Sequence, residues 1–137
     1  MNGMERRREA RLAFRADCII ELTGSREPAG HGPLRAKTVN ITEHGVMVAV
    51  PAVQKDFFEK VDQTVSGGGI LPARVQLTPR PGFPLLHGQV VWSNWASMEG
   101  VGAVCQLGVV FQLLTPPENE ALQEVLSGLS THTDLEG

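Results

Sequence analysis

Two groups of side chains in this sequence have the types and spacing to do chemistry. The first is a cluster of guanidinium groups, Arg6, Arg7, Arg8 and Arg11, in a segment where every basic residue up to Arg15 is arginine and none is lysine. Guanidinium donates paired hydrogen bonds to phosphate oxygens and stacks on planar rings, which an ammonium group does poorly. The second is Asn40-Ile41-Thr42-Glu43-His44-Gly45. Here Asn40 both donates and accepts, Thr42 offers a hydroxyl, and Gly45 lets a backbone approach closely. Taken singly, the first also reads as a solvated basic tail, and the second as a turn held by its own Asn and Thr side chains. Their order along the chain and their context decide between these readings.

No catalytic constellation competes with them. The histidines His31, His44, His87 and His132 form no zinc-ligand pattern, and His44 reads as a surface residue. Ser66 precedes Gly67-Gly68-Gly69, a run that lacks both the setting of a nucleophile elbow and the Lys-Ser/Thr of a phosphate loop. Cys18 and Cys105 stand far apart and read as buried, inert thiols in a reducing, cytoplasmic protein. Asp56 and Glu59 belong to a solvated helix face. The expectation is a protein that is not an enzyme, with no metal and no cofactor.

The elements that must position these groups follow from periodicity. Arg15–Leu22 alternates, with Ala16, Cys18, Ile20 and Leu22 on one side, as a half-buried strand does. Leu34–Asn40 alternates again and Gly45–Val50 is a β-branched run, so the Asn40–Gly45 segment lies at a connection between strands. Residues 52–63 suit a short helix through Val53, Phe57 and Val61. Ile70–Leu77, Gln89–Ser93 and Gln106–Leu113 supply further strands, the last with Leu107, Val109, Phe111 and Leu113 on one face. Residues 94–104 read as a connection. Thr115-Pro116-Pro117-Glu118 opens a helix with a Thr cap, Pro in the first turn and Glu after it. Its stripe is Ala121, Leu122, Val125, Leu126 and Leu129. Short strands without alternating helices leave edges exposed unless the sheet closes. The expected fold is therefore an all-β, six-stranded antiparallel barrel with a C-terminal α-helix and a flexible N-terminal arm. Its domain plan is a basic arm over residues 1–14, a barrel plus helix over 15–130 and a polar tail over 131–137.

Together the two motifs resemble those of the PilZ domain family of bacterial cyclic di-GMP receptors. That family carries RxxxR in an N-terminal arm and then (D/N)xSxxG between two strands. Here Arg7-Arg8-Glu9-Ala10-Arg11 is similar to the first motif, and Asn40 to Gly45 to the second, with Thr42 in place of Ser. The strand QVVWS, the later LGVVF and the helix beginning TPPENEALQEVL are similar to the end of a PilZ barrel. The resemblance implies that Arg7 and Arg11 clamp cyclic di-GMP, helped by Arg8, with Asn40, Thr42 and Gly45 as the floor. Arg6 and Arg15 are further candidates, Arg15 through the second register RLAFR, and Trp92 is a candidate lining residue. It also implies a relay in which the dinucleotide orders the arm for a downstream protein. The alternative is a PilZ-like adaptor that contacts proteins and ignores the nucleotide.

Charge agrees with a local site. The 137 residues carry 12 Lys+Arg against 15 Asp+Glu, a net −3. Residues 1–37 hold eight basic and five acidic groups, 8 − 5 = +3, on an otherwise acidic chain. That body excludes DNA, RNA and membrane surfaces as expected partners, since each calls for a broad basic face. No apolar run reaches the roughly 18 residues of a membrane span, and no apolar segment follows the basic start as in a secretory signal. A monomer or weak homodimer is expected.

Overall fold

The structure is a computed structural model that describes residues 12–23, 33–51, 55–100 and 102–136. Arg6, Arg7, Arg8 and Arg11 lie outside the described residues, and of Arg15 only the backbone is described. Six strands form: β1 (Leu12–Leu22), β2 (Leu34–Ile41), β3 (Gly45–Pro51), β4 (Pro72–Gln76), β5 (Leu86–Met98) and β6 (Gly102–Phe111). All pairings are antiparallel, and the order β1-β2-β3-β6-β5-β4 closes into a barrel through β4 against β1. Closure gives every strand two neighbours.

The alternation seen in the sequence becomes the inner wall. Cys18, Ile20 and Leu22 of β1, Val46, Val48 and Val50 of β3, Val75 of β4 and Leu107 and Val109 of β6 point into one core. Burying one such Val, Leu or Ile contributes about 1.5–3 kcal/mol. Thr38 of β2 is the polar exception, fully buried. Its hydroxyl donates to the Ala16 carbonyl and accepts from the Ala16 N–H, both at 3.2 Å. That exchange sits at the shift in register between Ala13 and Ala16, which contains Arg15.

Helix α1 (Lys55–Ser66) packs Phe57 and Val61 into the core and lies on β5. Phe58 meets Trp95 with ring centroids 5.7 Å apart, and the Ser93 hydroxyl donates to Asp62 at 3.0 Å. Gly68, at φ 82°, ends the helix with the Gly69 N–H donating to the Thr64 carbonyl at 2.8 Å. Helix α2 (Pro116–Glu136) starts as its sequence implies. The Thr115 hydroxyl accepts from the Glu118 N–H at 3.3 Å, and Ala121 and Leu122 enter the core.

The bounds of several elements differ from the sequence reading; β4 is shorter, at Pro72–Gln76, and α1 lies three residues later than read. β1 begins at Leu12, ahead of the alternation, because Leu12 and Ala13 pair with Ile41 and Asn40 across the shifted register. β5 and β6 run on as one long hairpin through Met98 and Gly102, over residues read as a connection; ladder bonds need no alternation of side chains. β6 stops at Phe111, so Leu113 is not on its inner face but at φ 54° and 97% exposed. α2 continues through residues 130–136.

Candidate functional site

The site lies on the outer wall, where the ladder registers align. Asn40 of β2 pairs with Met47 of β3, Met47 with Gly108 of β6, and Gly108 with Trp92 of β5. Irregularities between Thr38 and Asn40 and between Val90 and Trp92 precede the row's two ends and re-aim those side chains. Asn40 and Trp92 are three strand spacings apart, about 14 Å along the sheet. An open depression covers this row, lined by Asn40, Thr42, His44 and Gly45 on one side and by Val91, Trp92 and Val110 on the other.

The β2–β3 turn is built by its own side chains. The Thr42 N–H donates to the Gly45 carbonyl at 2.9 Å, while the Thr42 hydroxyl accepts from the N–H groups of His44 and Gly45 at 3.0 and 3.3 Å. The His44 carbonyl accepts the Phe111 N–H at 2.9 Å, which ties the turn to β6. Gly45 is required by close approach: a Cβ there would stand 2.3 Å from the Val109 carbonyl oxygen. On the far side, Trp92 stays 39% exposed beside the half-exposed Val91 and Val110.

The structure therefore brings Asn40, Thr42, Gly45 and Trp92 to one depression. His44 is exposed, as read, and also lines it. The lining has an amide, a hydroxyl and an exposed indole, and among the described residues its sole titratable side chain is His44. Leu12, covalently next to Arg11, pairs with Ile41 between Asn40 and Thr42, so the arginine segment joins the barrel beside the turn. The sequence reading did not single out Met47, Val91, Gly108 or Val110. A glycine inside the apolar run LGVVF was the available signal, since strand glycines mark close approach.

Several ionisable groups outside the depression are buried or paired within the barrel and its C-terminal helix. Burial pushes the Cys18 and Cys105 thiols up to about 12, with Asp17 and Asp62 adding to it. Burial alone would raise Glu118, but hydrogen bonds from the His87 ring and from the backbone of His87 and Thr115 hold its carboxyl below the usual range. Its Oε2 lies 2.9 Å from His87 Nδ1. Lys37 pairs with Asp17 at 2.7 Å, and Arg74 with Glu21. Among the described residues no group of His, Cys, Asp or Glu could hold a metal ion, and no helix is long and apolar enough to cross a membrane.

The described residues thus form a closed antiparallel barrel with a recessed turn-and-tryptophan depression on its wall. The PilZ domain model matches residues 5–128, and the chain belongs to the PilZ family of cyclic di-GMP receptors. The PilZ domain of YcgR from Escherichia coli, solved with c-di-GMP, superposes with a TM-score of 0.58 at 12% identity, covering 92% of each chain. K. pneumonia MrkH in its apo state gives 0.61 at 12%, covering 93% of this chain and 52% of that one. The Bacillus subtilis inhibitor of motility, MotI/DgrA, gives 0.50 at 12%, covering 89% and 50%. These likenesses are of fold, and the chain spans about half the length of MrkH and MotI. No curated protein matches the sequence.

Proposed function

We propose that this chain is a receptor for cyclic di-GMP, holding the dinucleotide between Arg7, Arg8 and Arg11 and the Asn40–Gly45 turn. Arg6, Arg15 and Trp92 border the same ligand. The observation that carries this reading is the meeting of Asn40, Thr42, Gly45 and Trp92 at one depression, beside the strand end that continues directly from Arg11. The lining is neutral or apolar apart from His44, so the arginines neutralise the phosphates while Asn40 and the indole meet the bases. Ligand binding orders the arginine segment that precedes β1 against the barrel, and the ordered arm presents a new surface to a downstream protein in the bacterial cytoplasm. The chemistry is recognition; no bond of the ligand is broken, and no metal or cofactor takes part.

Calorimetric titration with cyclic di-GMP tests this. Arg7→Ala and Arg11→Ala each remove a charge-assisted contact and should cost about 1.5–3 kcal/mol, roughly ten- to a hundredfold in affinity. Unchanged affinity in both variants removes the arginine clamp. One observation favours the second reading, a protein-binding adaptor indifferent to the nucleotide: the Thr42 hydroxyl already accepts two N–H groups, so the turn is complete without ligand. That reading predicts no heat with cyclic di-GMP and retention of a protein partner by both arginine variants.

A further inference from the structure

Gly108 sits inside β6, where a residue without a side chain weakens a strand unless something needs the space. A Cβ built there would stand 2.1 Å from Trp92 Nε1, 2.3 Å from Cε2 and 2.7 Å from Cδ1. All three nearest atoms belong to one indole. At Gly45 and Gly88, by contrast, the nearest atoms are the carbonyl oxygens of Val109 and Val110, at 2.3 and 2.6 Å. The distances at Gly108 rise so little from the ring nitrogen to its two bonded neighbours that the indole meets this position with its face rather than its edge. Its opposite face is then turned away from β6. The ladder supports the same picture: Trp92 is the direct partner of Gly108, just past the irregularity that follows Val90. Gly108 is buried, while Trp92 remains partly exposed at the rim of the depression.

We propose that Gly108 is a positioning residue that seats Trp92 face-down on β6, so that the outward face of the indole is a stacking platform for one guanine. The platform role rests on the receptor reading above; the seat itself does not. An alanine at 108 would lift the ring by roughly an ångström or more to reach normal contact distance, tilting the platform out of the row that begins at Asn40. Stacking one base on an aromatic ring is strong enough that losing it costs about tenfold in affinity.

The test combines the free protein with calorimetry. In the free protein the Trp92 indole N–H resonance, assigned by its disappearance in Trp92→Phe, should move in Gly108→Ala while that of Trp95 stays in place. Gly108→Ala should weaken cyclic di-GMP about tenfold, as should Trp92→Ala. The double variant should bind no more weakly than Trp92→Ala, because removing the indole makes room for the new methyl. If Gly108→Ala does not fold, comparison of Trp92→Ala with the double variant still decides. Wild-type affinity in Gly108→Ala, or a further loss in the double variant, overturns the proposal. An unmoved Trp92 signal in folded Gly108→Ala overturns the seat even where the wild type binds. A wild type that takes no dinucleotide, with a Trp92 signal that does move, overturns the receptor reading and the platform while the seat stands.

Discussion

Thr42 and Gly45 hold the β2–β3 turn by different means, and substitutions separate them. Thr42→Ala strips the acceptor from two N–H groups and should cost about 1 kcal/mol, lowering Tm by about 2–4 °C, whereas Thr42→Ser keeps the hydroxyl and should melt with the wild type. Gly45→Ala forces a methyl against the Val109 carbonyl oxygen, backbone that cannot rotate away, and should cost about 1–3 kcal/mol. Differential scanning calorimetry reads all three. The cysteines give another outcome. With both thiols raised to about 12 by burial, almost none is thiolate at pH 8, and a thiol reagent should react slowly until denaturant is added. Fast labelling of the native protein would contradict their burial. The residues of the turn were legible in the sequence because they are contiguous and their types are specific. Gly108 was not, because its reason is an indole brought by a different strand.

Among the elements, α2 opens on a buried carboxylate. Glu118 sits in the first turn and reaches His87 on β5, while the Thr115 hydroxyl caps its N–H. Its carboxyl titrates below the usual range when folded, so the unfolded chain takes up that proton first as pH falls. The stabilisation is present above the ordinary carboxylate pKa and is lost as pH drops through the lowered one. Thermal midpoints measured from pH 6 down to pH 3 should therefore fall more steeply for the wild type than for Glu118→Gln; parallel curves would remove this role. The helix start was readable in advance, since Thr115, Pro116 and Glu118 each meet a local backbone need. The extent of β5 was not. Residues 94–98 extend a hairpin through ladder bonds to β6, and such bonds leave no mark on side-chain order.

At the scale of the whole molecule, barrel closure was inferable because six short strands without covering helices leave edges that must be paired. The strand order β3-β6-β5-β4 was not, since it depends on which non-local ladder forms. A ligand that binds the closed barrel and not the unfolded chain should raise its stability by about 2.7 kcal/mol at a hundredfold excess over Kd. A thermal shift with cyclic di-GMP, cut to about half or less in Arg7→Ala and Arg11→Ala at the same ligand concentration, is the expected result.

The pairing of Leu12 with Ile41 has a consequence for how such a site closes. Because the chain leads from Arg11 straight into a strand bonded beside Asn40 and Thr42, the two motifs are held together by tether rather than by encounter. Their meeting is a unimolecular step at an effective concentration on the order of millimolar, the range of short linkers. For the receptor proposed above, assembly of the two motifs is thereby independent of how dilute the protein is, and the dinucleotide need only bridge groups of one chain.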